Sequence, residues 1–196
     1  MNNSTPQWLI DARANAWKYL TLFVNNPGIE KIVKDLLAFS KPSEPKRQPC
    51  DVHEILQDTV DLLGGQMRQL GILSELRLEA DQSLCFVDGS QIKQALLNII
   101  MNAIEAMKPS GGELKILTQS DEKYLQISIA DTGHGIAKEK IAHIFDPFFT
   151  EKEGGTGLGL AITHSIVQQN GGKIRVVSEV GSGARFVITL PAGGAS

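Results

Sequence analysis

LLNIIMNAIEAM, residues 96–107, decides how the rest of this chain is read. Its apolar residues recur at helical intervals, yet Asn98, Asn102 and Glu105 break the pattern. Their spacings of four and three put all three on one face of a helix. One buried asparagine often does no more than satisfy loop backbone. A stripe of three is different, because each buried amide or carboxyl needs a partner. Amide oxygens are hard, neutral ligands, suited to Mg²⁺ where phosphate oxygens supply most of the negative charge. The stretch therefore predicts a helix that packs on a sheet with one face and offers a polar stripe on another.

Working outward, this helix spans about 89–108 and ends at KPSGG, where proline and glycine both stop it. Before it lie a helix in VHEILQDTVDLLGGQMRQLG, an alternating strand in ILSELRLEA and a short strand in LCFV. After it, ELKILTQS and YLQISIAD have period two and form a hairpin. A glycine-rich section leads into the helix LGLAITHSIVQQN, stopped by Gly171 and Gly172, and KIRVVSE and ARFVITLP close the chain as a strand pair joined at VGSG. Helices mostly precede paired strands. That order fits an α+β fold: a mixed, mostly antiparallel sheet with helices on one face, over residues 49–192.

Residues 1–45 form a separate block. QWLIDARANAWKYLTLFV and IEKIVKDLLAFS have helical periodicity and flank the turn signal NNPG, so a short helical hairpin is expected. KPSEPKRQP, with three prolines, marks the boundary. A formal net charge of −3 with no basic stripe speaks against nucleic-acid binding. No apolar run approaches a membrane span, and two unrelated cysteines, Cys50 and Cys85, suit a reducing cytoplasm better than a disulfide framework.

Three further stretches carry chemistry. DTGHGI, residues 131–136, follows a strand; Asp131 could accept a hydrogen bond from an exocyclic amine, and Gly133 and Gly135 permit a close turn. A plain Asx-type turn is the competing reading. GGTGLGLAI, residues 154–162, runs glycines straight into a helix start, where free N–H groups face an anion. It is neither a Gly-Lys-Ser/Thr phosphate loop nor a dinucleotide fingerprint. Between them, IFDPFFTEKE (144–153) holds Phe145, Phe148 and Phe149, which either plug a core edge or anchor a lid, while Lys152 could reach a phosphate.

Taken in order, these stretches resemble the ATP-binding catalytic domain of sensor histidine kinases, in the Bergerat-fold family. LLNIIMNAIEAM matches the asparagine box, DTGHGI and GTGLGL the two glycine boxes, and FDPFF the phenylalanine box, with GSGARFVITLP like the closing strand. The style of FDPFFT followed by GTGLGLAI is similar to the nitrogen-regulation branch. The resemblance implies a two-layer α/β sandwich that binds ATP and Mg²⁺. Asn102 would ligate the metal, with Asn98 in support. Asp131 would bind the adenine amine in a pocket shaped by Gly133, Gly135 and Ile136. Phe145, Phe148 and Phe149 would belong to the lid, with Lys152, Gly155, Thr156, Gly157, Leu158, Gly159 and Leu160 around the phosphates. Asn98 stands where hydrolytic relatives carry a water-activating glutamate, which favours transfer to a protein acceptor. Ala184 departs from a frequent threonine.

The resemblance also implies an acceptor histidine on a dimerising hairpin, a response regulator as partner, a homodimer and a cytoplasmic setting. The histidines are His53, His134, His143 and His164, so none lies in 1–45 and no phosphoacceptor is found. His53 reads as a helix-start residue. Two alternatives stand beside the histidine kinase: a non-catalytic nucleotide-binding interaction module, and a serine kinase or ATPase of the same fold.

Overall fold

The computed structural model describes residues 44–193 apart from 109, 153 and 154. The chain divides into two compact units, Met1–Lys41 and Pro42–Ser196. The hairpin expected over 1–45 therefore lies outside the described residues, except for its last two.

In chain order the elements are β1 (Gln48–Asp51), α1 (Val52–Gln69), β2 (Ile72–Leu78), β3 (Leu84–Val87), α2 (Gly89–Met107), β4 (Gly112–Ser120), β5 (Tyr124–Asp131), α3 (Lys138–Ile141), α4 (Gly159–Gln169), β6 (Lys173–Ser178) and β7 (Ala184–Pro191). The five-stranded sheet has the order β2-β4-β5-β7-β6, with β2 and β4 parallel and every other pair antiparallel. The expected mixed, mostly antiparallel sheet is present. LCFV is a strand but does not join it: it pairs with β1 in a separate two-stranded ribbon. Sequence pattern missed β1, because QPCD is short and does not alternate. Pro49 is tolerated there because a ribbon edge leaves its missing N–H unrequired.

The two longest helices each begin at an aspartate. Asp51 accepts from the His53 amide of α1 at 2.8 Å. Asp88 accepts from the Ser90 and Gln91 amides of α2 at 3.1 and 3.2 Å. Such caps satisfy N–H groups that the helix itself leaves without partners. His53 is the helix-start residue expected, and its ring also lies 2.9 Å from the buried Thr118 hydroxyl on β4.

The core lies between the helices and one face of the sheet. Along α2, Leu96, Ile99, Ile100, Ala103, Ile104 and Met107 are all buried, each at most 4% exposed. They meet Leu114 and Ile116 of β4, Leu125, Ile127 and Ile129 of β5, and Ile188 and Leu190 of β7 in one cluster. Burying each such side chain contributes about 1.5–3 kcal/mol. The same strand alternation that buries 125, 127 and 129 brings Asp131 to the helix-covered face. A core rule thus delivers a carboxylate to the end of the central strand.

Asn170, 1% exposed, closes the far end of α4. Its Oδ1 accepts from the Asp88 amide at 2.7 Å, and its Nδ2 donates to Gln91 Oε1 and the Ile166 carbonyl. One buried amide thereby ties the end of α4 to the start of α2.

Candidate functional site

The polar stripe of α2 faces the segment running from residue 152 into α4. Asn98 donates from Nδ2 to the Gly159 carbonyl at 3.1 Å and lies 3.3 Å from Thr163 Oγ1. Thr163 itself donates to the same carbonyl at 2.8 Å. Asn98 therefore fixes the first turn of α4 against α2. One turn further along, Asn102 Oδ1 accepts from Lys152 Nζ at 2.8 Å. The same ammonium is ion-paired with Glu105. All three stripe residues thus reach partners more than 45 positions away in sequence.

Leu158, at the N-cap of α4, offers no side-chain hydrogen bond to the first-turn N–H groups. Thr156 Oγ1 accepts from the Leu158 amide at 3.4 Å, just before α4. A Cβ added at Gly159 would meet nothing nearer than Asn98 Cγ at 3.9 Å. Protein packing does not demand glycine there.

At the other end, Asp131 is 8% exposed. Its Oδ1 takes the Gly133 amide at 2.9 Å and the Ala184 amide at 3.3 Å. Among the described residues Oδ2 takes no hydrogen bond, which leaves it for an incoming donor. Burial pushes this carboxyl above the ordinary aspartate range, against the opposing pull of the Gly133 and Ala184 amides. Ala184, which lacks the threonine hydroxyl, contributes through its backbone instead.

Both glycines of this box stand where neighbouring protein comes close. A Cβ on Gly133 would come 2.6 Å from Ala106 Cβ on α2, and one on Gly135 would lie 2.0 Å from the Glu179 carbonyl. They admit close approach of α2 and of the Glu179 backbone to the turn that follows Asp131. Ser178 completes this wall and was not foreseen. Its hydroxyl accepts from the Ile136 amide at 2.8 Å and donates to the Gly183 carbonyl at 2.6 Å. No local pattern singles out a serine at a strand end, so only the tertiary contact reveals it.

The phenylalanine segment divides. Phe145 and Phe149 pack against the core, Phe145 also lying beside the His164 ring at 5.2 Å between centroids. Phe148 is 61% exposed and has a φ of 67°. Phe145 and Phe149, expected by resemblance in the lid, thus sit as a plug at the core edge, and Phe148 stays outside. Gly157 meets Phe148 across the segment: the Phe148 amide donates to the Gly157 carbonyl at 3.1 Å, and a Cβ on Gly157 would lie 2.4 Å from the Phe148 carbonyl carbon. Lys140–Glu151 and His143–Asp146 pairs brace the same segment. Ile136 and Leu160 are partly buried beside the core and Leu158 is fully inside it. His134 is a loop residue whose Nδ1 lies 2.7 Å from the Gly135 carbonyl.

Residues 87–194 match the family described as histidine kinase-, DNA gyrase B-, and HSP90-like ATPase. The chain belongs to this family. Sporulation kinase E of Bacillus subtilis (strain 168) is 37% identical over 164 residues, covering 83% of this chain and 22% of that protein. The structure of full-length ShkA in complex with AMPPNP superposes with a TM-score of 0.75 at 27% identity, covering 85% of this chain and 36% of that one. Histidine kinase ThkA in complex with response regulator protein TrrA gives 0.72 at 26% identity, covering 98% of this chain and 53% of that one. The chain thus spans about a fifth of the length of its curated relative. Membership in the ATPase family accounts for the layering of three helices on a five-stranded sheet.

The residues present also suit the cofactor such a fold implies. No group of three or more His, Cys, Asp or Glu side chains forms a metal cage among the described residues. A cation here would take its charge from bound phosphate and a neutral oxygen from Asn102, the pairing expected for Mg²⁺.

Proposed function

We propose that the region from residue 44 onward is the Mg-ATP-binding catalytic domain of a two-component sensor histidine kinase. The observation that carries this reading is the alignment of three features. Asp131 beside Gly133, which packs on Ala106, then the amide stripe, then the start of α4 held by Asn98, lie in succession along α2. Their order matches base, metal and phosphates.

Asp131 accepts the adenine amine through Oδ2, and Ile136 lines the base. Gly155, Thr156, Gly157, Leu158, Gly159 and Leu160 present backbone to the phosphates, with Lys152 as a phosphate contact. Asn102 ligates the metal, and Asn98 supports it by holding the start of α4. When bound, Mg²⁺ neutralises developing charge on the triphosphate. Transfer breaks the γ-phosphorus bond to the bridging oxygen, forms a phosphorus–nitrogen bond to an imidazole of the acceptor, and releases ADP. Asn98 carries no carboxylate to activate water and its amide nitrogen is already engaged with Gly159, which favours transfer over hydrolysis. The ShkA complex with AMPPNP supports nucleotide binding, and the ThkA–TrrA complex supports a response regulator as partner. A homodimer and a cytoplasmic setting belong to the same reading. No helix among the described residues is long and apolar enough to cross a membrane.

Incubating the full chain with radiolabelled ATP, Mg²⁺ and a separate histidine-bearing dimerisation hairpin tests this. Acid-labile, alkali-stable label should appear on the hairpin and not on the chain. Nucleotide binding without any transfer would favour the interaction module, and label on serine a serine kinase.

A further inference from the structure

Glu105 has no part in the nucleotide scheme above, yet it is not an idle surface acid. It lies three residues beyond Asn102 on the same face of α2. Lys152 Nζ is held at once by Asn102 Oδ1, at 2.8 Å, and by Glu105 Oε2. The backbone of Lys152 is itself fixed: its amide donates to Thr150 Oγ1 at 3.1 Å, and its carbonyl accepts from the Gly155 amide at 3.0 Å. These bonds and the two side-chain partners aim one ammonium at one amide oxygen and one carboxylate.

We propose that Glu105 is a positioning residue that parks Lys152 on Asn102 while no nucleotide is bound, so that the ammonium stands where the metal later sits. This rests on the Mg-ATP reading of the site. A metal on Asn102 and an ammonium on the same oxygen repel each other, so arrival of the metal–nucleotide drives Lys152 away, toward the phosphates. The exchange leaves Glu105 facing the polyphosphate. With a divalent cation between them, the carboxylate meets positive charge. Without it, carboxylate and phosphate repel, and Lys152 gains by staying where it is. Glu105 therefore makes nucleotide affinity depend on the metal more steeply than Asn102 alone would. A neutral residue at this position would keep the stripe's geometry and lose that dependence.

The test is calorimetric titration of the full chain and its Glu105→Gln variant with AMPPNP, each in excess Mg²⁺ and in EDTA. Coupling between two bound groups is typically worth roughly 5- to 150-fold in affinity. The ratio of the Kd in EDTA to the Kd in Mg²⁺ should fall about tenfold in the variant, mainly through tighter binding in EDTA. Trypsin should also cut after Lys152 several-fold faster in the nucleotide-free variant. Binding by both proteins with the same metal ratio overturns the role of Glu105 and leaves the nucleotide site standing. No binding by the folded parent chain in either buffer overturns the nucleotide reading, and this inference with it.

Discussion

Asp131→Asn is expected to leave the chain folded, at equal or greater stability, while nucleotide affinity falls by about 30- to 1,000-fold. The two halves of this result have separate causes. In the fold, Oδ1 of Asp131 already serves the Gly133 and Ala184 amides, and an asparagine oxygen can take both. The amide nitrogen then replaces Oδ2 and points a donor at the adenine amine, itself a donor. Losing a hydrogen bond to a charged group and opposing two donors costs about 2–4 kcal/mol, which is that range of affinity. Stability moves the other way. Burial raises the carboxyl's folded pKa above its unfolded value, so the native state disfavours the ionised form at neutral pH. The cost is present above the folded pKa and disappears as pH falls toward the unfolded value near 4. Any stability advantage of the variant should therefore shrink between neutral pH and about pH 4. Thermal melts across that range and an AMPPNP titration at neutral pH check both halves. A variant that binds like the parent would remove Asp131 from the base site.

Gly183→Ala should be the most damaging small substitution in the domain. Gly183 has a φ of 81°, and an added Cβ would lie 1.9 Å from the Asp131 carbonyl oxygen. Left-handed backbone costs an ordinary residue about 1–2 kcal/mol, and forced overpacking another 1–3. The sum, about 2–5 kcal/mol, corresponds to a Tm drop of roughly 5–20 °C in a domain of this size. Gly181 supplies the control, because it has the same φ of 81° with nothing within 4 Å of an added Cβ. Gly181→Ala should lose only the backbone part, about 1–2 kcal/mol. The struck oxygen belongs to Asp131, the residue proposed to hold the base, so folded Gly183→Ala should also bind nucleotide more weakly. Equal melting temperatures for the two variants would show that close packing of the β6–β7 turn on β5 contributes nothing.

What could be read in advance follows from the range of each signal. The stripe of α2 and the place of Asp131 are periodic features, written within one element, and both were legible. Lys152 meeting Glu105 was not, since 47 residues separate them and no period relates them. Ser178 and the two-stranded ribbon are likewise products of tertiary contact. The glycines were legible as special but their cause was not. Gly133 and Gly135 yield to Ala106 and the Glu179 carbonyl, whereas Gly159 alone leaves space beside Asn98. A glycine pattern marks close approach without saying what approaches. The aromatic trio divides for the same reason. Sequence shows three phenylalanines in one loop, while packing decides that Phe145 and Phe149 go inward and Phe148 stays out.

The central claim is that the face of α2 bearing Asn98 and Asn102 is a metal–nucleotide site, and the sharpest measurement is a calorimetric titration of the full chain with AMPPNP in excess Mg²⁺. Saturable binding to one site, with a Kd below about 1 mM and weakened by EDTA, is the expected result. A chain that shows a cooperative melt yet gives no saturable heat would contradict it.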